Sequence, residues 1–189
     1  MDSTGNKEFS SHRINLIGGS GSGASTLGEK LADYLGCPHF EAEHFYHAPT
    51  DPPYHQQRNP QERLGLIVEA LEESESWVLS GSVMGWGEHP IFDFTHMFWM
   101  LPPQDIRLKR LHDRELTKFG DRVLEGGDMY EAHLEFMNWA EGYERGNLDG
   151  KSLERHKVYL TQINCPVLRL TGKMTVEQQM GLALEFCIK

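Results

Sequence analysis

The stretch INLIGGSGSGASTLGEKLADYLG, Ile14 to Gly36, decides the fold. Ile14 to Ile17 is short and apolar and runs straight into glycines, which predicts a buried strand. Beyond the glycines, Leu27, Leu31, Tyr34 and Leu35 recur at helical spacing, and Gly36 follows as a stop signal. The connection between strand and helix nearly spells the phosphate-loop pattern G-x-x-x-x-G-K-[ST]. Gly18, Gly23 and Ser25 stand in register, and Ala24 stands where the lysine belongs.

A phosphate loop works because successive backbone N–H groups converge on one anion at a helix N-terminus. Gly18, Gly19, Gly21 and Gly23 permit the close approach, and Ser20, Ser22, Ser25 and Thr26 add hydroxyls. Ser25 is the expected magnesium ligand, and Thr26 reaches toward an α-phosphate. The lysine of the pattern places a point charge between the β- and γ-phosphates, and Ala24 supplies none. The bland alternative is a flexible turn between a strand and a helix. Four glycines in six residues at this spacing argue for the phosphate site.

Outward from the loop, strands and helices alternate. "CPHFEAE", "WVLSG", "THMFWMLPP" and "CPVLRLTG" read as further strands. Helical spacing recurs around Leu64 to Leu71, Asp105 to Phe119, Leu134 to Tyr143, Leu153 to Ile163 and in the last segment "TVEQQMGLALEFCI". Five short apolar strands separated by helices predict a parallel sheet covered on both faces. Residues 1–12 read as a loose polar tail, and 13–189 as one domain with a lid at about 114–145, where "GDRVLEGGD" breaks the helical pattern.

Composition bounds the partners. The net charge of -10 argues against nonspecific nucleic-acid binding, which needs a basic surface. No apolar run approaches the roughly 20 residues of a membrane span, and the N-terminus lacks the apolar core of a signal peptide. Cys37, Cys165 and Cys187 are scattered, with no C-x-x-C pair, which fits a reducing cytoplasm. Nothing in the sequence fixes the oligomeric state.

Cations are concentrated in "IRLKRLHDRELTKFGDR", which carries Arg107, Arg110, Arg114 and Arg122. The first three fall at i, i+3 and i+7 of one helix. A guanidinium binds phosphate bidentately and stays charged, so Arg110 and Arg114 are candidates to replace the missing lysine, both in binding nucleotide and in catalysis. A solvated helix laced with ion pairs to Asp105, Asp113 and Glu115 is the alternative.

These residues resemble a known group. "GGSGSGAST", the "WVLSGS" strand, the "LPP" strand end and the helix "RLKRLHDRE" resemble the P-loop small-molecule kinases, the superfamily of adenylate, shikimate and gluconate kinases. "GGDMYEAHLEFMNWAEGY", with Phe136 and Trp139, resembles bacterial adenylate-kinase-like, topology-modulation-type P-loop proteins. The resemblance covers nearly all of the chain after residue 12. It implies a three-layer P-loop NTPase fold with a five-stranded parallel sheet in the order 2-3-1-4-5, helices on both faces and a helical lid. It also implies ATP and Mg2+, and phosphoryl transfer to a small-molecule or nucleotide acceptor. The chain departs from the pattern at Ala24. It also departs at the end of the third strand, where Ser80 and Ser82 replace the usual magnesium-ordering acid.

The acceptor is expected beyond the carboxyl ends of the strands. In "FEAEHFYH", Glu41 and Glu43 fall on one face of an extended segment. Glu43, which matches the second of two acids in the resembling group, is the candidate base; exposed acids at a strand end are the alternative. Arg58 and Trp86 are further candidates for acceptor binding, Trp86 because Gly81, Gly85 and Gly87 surround it. His44, His47 and His55 lack metal-ligand spacing and read as surface residues. Two functions stay open: an ATP-dependent kinase, and a nucleotide- or phosphate-binding regulatory protein without catalysis.

Overall fold

The computed structural model describes residues 11–87, 89–146 and 151–187. The predicted tail at 1–12 therefore lies almost wholly outside the described residues. The sheet has five parallel strands, β1 (Arg13–Gly18), β2 (His39–Glu41), β3 (Trp77–Ser80), β4 (His96–Leu101) and β5 (Val167–Thr171), in the order β2-β3-β1-β4-β5. Seven helices cover it: α1 (Ala24–Leu35), α2 (Ala42–Tyr46), α3 (Pro60–Glu72), α4 (Gln104–Phe119), α5 (Tyr130–Glu141), α6 (Leu153–Leu160) and α7 (Val176–Cys187). Short 3-10 turns lie at Pro90–Phe92 and Gly120–Val123.

Alternate residues of the central strands feed two cores, one per face of the sheet. Ile17, Trp77, Leu79, Met97 and Trp99 pack on one side with Ile67 and Leu71 of α3. Ile14, Leu16, Val78, Phe98 and Met100 pack on the other with Leu27 and Leu31 of α1 and Ala183 of α7. This double burial is why β1, β3 and β4 read as continuous apolar runs. Asn15 is the polar exception among the buried residues of β1, with no exposed surface. Its amide donates to the carbonyls of Leu79 (2.9 Å) and Gly81 (2.8 Å), and so ties the ends of β1 and β3 together.

The second strand is shorter than its sequence suggests. β2 stops at Glu41, and the chain turns at once into α2, so Glu43 lies on a helix and not on an extended segment. Ala42 is 1% exposed and packs against Gly81, where an added Cβ would stand 2.9 Å from the Ala42 methyl. This Ala–Gly contact lets α2 fold across the carboxyl edge of the sheet.

Candidate functional site

The glycine-rich loop sits at the carboxyl end of β1, the central strand, and runs into α1. Gly21 and Gly23 have φ of 81° and 92°, in the left-handed region that glycine adopts freely. A Cβ on Gly21 would overlap the backbone carbonyl of Arg107. Gly23 caps α1 without any side-chain hydrogen bond, and the first turn carries no acidic residue, so the helix's first amides are uncapped. Ser25 and Thr26 are exposed, and neither hydroxyl has a hydrogen-bond partner among the described residues. Ser22 is buried, and its N–H donates to the Gly19 carbonyl at 3.0 Å. This donor set suits a phosphate with a cation at Ser25.

The three arginines of α4 have separate surroundings. Arg107 is 1% exposed beneath the loop. Its guanidinium donates to the Ser20 carbonyl (2.8 Å), the Ala140 carbonyl (2.8 Å) and both oxygens of Glu144 (3.0 and 2.6 Å). Arg110 is exposed and makes no ion pair or hydrogen bond among the described residues, and its Nη1 lies 3.7 Å from where a Cβ on Gly23 would stand. Arg114 pairs with the buried carboxylate of Glu115 at 3.0 Å. A helix rises about 1.5 Å per residue, so Arg114, seven residues beyond Arg107, is carried about 10 Å past the loop.

Ser80 and Ser82 are spent on structure. The Ser80 hydroxyl donates to the carbonyl of Ala24 (3.1 Å) and meets the His39 ring (2.9 Å), while the Ser82 oxygen accepts from the Met84 N–H (3.3 Å).

On the acceptor side, Glu43 is partly buried on α2, and Glu41 ends β2 with His44 at 3.7 Å. Arg58 spends its guanidinium on the carboxyl end of α2, donating to the carbonyls of His44 (2.7 Å), Phe45 (3.2 Å) and His47. Trp86 is 6% exposed and forms a wall with Tyr46, their ring centroids 6.1 Å apart. The Arg63 guanidinium lies 4.8 Å from the Tyr46 ring and 5.1 Å from the Trp86 ring, and its buried Nε has no partner. Arg63 was not singled out in the sequence; it lies four residues before the buried Ile67, near the start of α3. Two contacts join the end of α4 and the 3-10 turn after it to the loop that follows α2: Lys118 to the Tyr54 hydroxyl (2.8 Å) and Arg122 to Asp51 (3.0 Å). Among the described residues, no group of three or more His, Cys, Asp or Glu is placed to hold a metal.

A further cluster lies between the loop and α2, and sequence reasoning missed it. Tyr143 packs against Gly19, where an added Cβ would meet the ring at 2.9 Å. Its hydroxyl accepts from the Trp99 indole (3.3 Å) and meets Nδ1 of His156 (2.8 Å). Burial raises the Tyr143 hydroxyl to about 12, and burial, reinforced by the Lys151 charge, lowers His156 to about 4. Lys151 stands within electrostatic reach of Glu43, His47 and His156. Burial lowers its pKa, and the Glu43 carboxylate opposes that shift.

The parallel sheet in the order 2-3-1-4-5, with its glycine-rich loop after the central strand, is the fold of the P-loop small-molecule kinases. Shikimate kinase from Bacteroides thetaiotaomicron superposes with a TM-score of 0.53 at 17% identity, covering 94% of this chain and 99% of the other. Deoxyadenosine kinase from M. mycoides with bound dATP superposes with a TM-score of 0.55 at 12% identity, covering 94% and 100%. No family model matches the chain. The chain belongs to the family of "Uncharacterized protein YqaC" of Bacillus subtilis (strain 168), to which it is 34% identical over 175 residues, 92% of this chain and 96% of the relative.

Proposed function

We propose that the protein transfers the terminal phosphoryl group of ATP to a small-molecule or nucleotide acceptor. The observation that carries this reading is the exposed, unpaired Arg110 beside the uncapped N-terminus of α1. The loop amides hold the phosphates, and Arg110 takes part of the charge that Ala24 cannot neutralise. Ser25, with its exposed hydroxyl at the start of α1, would hold Mg2+, which would supply positive charge against the phosphates. In the transfer, the acceptor hydroxyl attacks the γ-phosphorus, the bond to the β-bridging oxygen breaks, and ADP leaves. Glu43 accepts the hydroxyl proton. Arg63, set between Tyr46 and Trp86, is placed to pair with an anionic group of the acceptor. The segment at about 114–145 acts as the lid, with Lys118 and Arg122 reaching the loop that follows α2; closure excludes water. Three free cysteines support a reducing, cytoplasmic setting.

The test is calorimetric titration with ATP and ADP, with and without magnesium, followed by an ADP-release screen over hydroxylated acceptors. Arg110→Ala is expected to weaken ATP roughly 10- to 150-fold, the value of one charge-assisted contact. Failure of the wild type to bind ATP at millimolar concentration overturns the reading. The second reading, a regulatory nucleotide or phosphate binder, is favoured by Ala24 and by the pairing of Arg114 with Glu115. Tight binding without turnover on any acceptor selects it.

A further inference from the structure

The phosphate-loop pattern asks for glycine at 18 and 23 and leaves position 19 free. The backbone does not ask for it either, since the left-handed glycines of the loop are Gly21 and Gly23, and Gly19 is not one of them. Packing is what requires glycine there. An added Cβ on Gly19 would stand 2.9 Å from Cδ1 and 3.0 Å from Cγ of Tyr143, and 3.2 Å from Cδ of Arg107.

Tyr143 follows α5 and is held from β4, α6 and α4. Its hydroxyl accepts from the Trp99 indole (3.3 Å) and meets Nδ1 of His156 (2.8 Å). Its carbonyl accepts from the Leu153 N–H (2.9 Å). The Arg107 guanidinium lies 5.3 Å from the centroid of its ring. The same guanidinium donates to the Ala140 carbonyl and the Glu144 carboxylate, which flank Tyr143, and to the Ser20 carbonyl of the loop. Tyr143 is 3% exposed. Its ring is a fixed surface, and the backbone of the loop rests on it.

We propose that Tyr143 is a positioning residue for the phosphate loop: its ring seats Gly19 so that the loop amides converge before any phosphate arrives. This rests on the phosphate-binding reading above. Four glycines in the six residues from Gly18 to Gly23 give an unsupported loop wide conformational freedom. Ordering that freedom only on binding would weaken the ligand roughly 5- to 30-fold for each residue fixed. With Ala24 in place of a lysine, the amides carry more of the binding, so their arrangement in advance counts for more.

The experiment is calorimetric titration of MgATP and of inorganic tripolyphosphate into the wild type, Tyr143→Phe and Tyr143→Leu. Tyr143→Phe keeps the ring but strands the buried Trp99 indole and His156 Nδ1, so it lowers Tm without unseating the loop. Tyr143→Leu removes the ring. Tyr143→Leu is expected to weaken both ligands by the same roughly 5- to 30-fold, while Tyr143→Phe stays within about threefold of wild type despite its lower Tm. The Ser22 N–H, which donates to the Gly19 carbonyl (3.0 Å), reports the seat directly. Its hydrogen exchange in the ligand-free protein should be faster in Tyr143→Leu than in Tyr143→Phe. Where Tyr143→Leu does not fold, Gly19→Ala drives a Cβ against the ring and should weaken both ligands likewise; unchanged affinity there overturns the proposal.

Tyr143→Leu binding both ligands within about threefold of wild type overturns the proposal while leaving the nucleotide reading intact. Equal losses in Tyr143→Phe and Tyr143→Leu overturn it too, since affinity would then follow stability and not the ring. A wild type that binds tripolyphosphate but not ATP overturns the nucleotide reading alone, and one that binds neither removes both.

Discussion

Arg107 and Arg110 lie three residues apart on one helix, and the structure gives them opposite surroundings, one buried and bonded, the other exposed. Arg107→Met keeps most of the buried stem and removes the guanidinium. That leaves the Glu144 carboxylate without its bidentate partner and the Ser20 carbonyl without its donor. Breaking a fully buried pair costs about 3–5 kcal/mol. The Glu144 side chain is 29% exposed, and the Ala140 carbonyl keeps a hydrogen bond from the Tyr143 N–H at 3.3 Å, so water and backbone recover part of the loss. The expected cost is therefore at the lower end, about 3 kcal/mol. At roughly 2–4 °C per kcal/mol for a chain of this size, the Tm falls by roughly 6–12 °C. Urea denaturation followed by circular dichroism measures it, with calorimetry as a cross-check. Arg107→Met/Glu144→Leu should recover part of the loss, because it leaves no unpaired carboxylate. Arg110→Ala is the control: exposed and unpaired, it should change stability by no more than about 0.5 kcal/mol while losing ATP affinity. A Tm drop below about 2 °C for Arg107→Met, equivalent to less than about 1 kcal/mol, would refute the anchoring role of Arg107.

The other expectations follow from single positions. Gly21→Ala places a Cβ at φ +81° onto the Arg107 carbonyl and should cost more than Gly36→Ala, which at φ +67° meets open space and pays only the left-handed penalty of about 1–2 kcal/mol; equal Tm shifts would contradict the tight seat of the loop. His156, lowered from 6.5 to about 4 by burial and by Lys151, with Tyr143 facing its other nitrogen, stays neutral in the folded protein while the unfolded chain takes up a proton. Its contribution is thus complete above about pH 6.5 and is lost as pH falls toward 4, at most about 3 kcal/mol. His156→Gln should flatten that part of the stability curve, and an unchanged slope in denaturant titrations would count against it. Hydrogen exchange across 114–145 should slow on adding ATP; equal protection with and without nucleotide would exclude a lid there.

Local signals in the sequence were enough for the class of architecture, a parallel sheet covered on both faces, while the strand order came with the resemblance to the P-loop kinases. Strand and helix periods, the glycines at 18, 19, 21 and 23 and the stop at Gly36 are local signals, and local backbone preference combined with double burial leaves few sheets to build. What the sequence could not determine was which side chains meet. Arg107, Arg110 and Arg114 look equivalent in a helical pattern. Three residues turn the chain by about 300°, which carries Arg110 from the core to the rim of the loop, and seven move Arg114 beyond it. Glu43 looked extended because an alternating pattern in a short segment fits either state; the Ala42–Gly81 contact, made with a residue 39 positions away, turned it into a helix. Lys151, His156, Tyr143 and Gly19 carry no shared period, since they lie on separate segments joined only by packing. Only packing brought Tyr143 against Gly19 and His156 against Tyr143, because a charge pattern records what a residue is and burial decides what it faces.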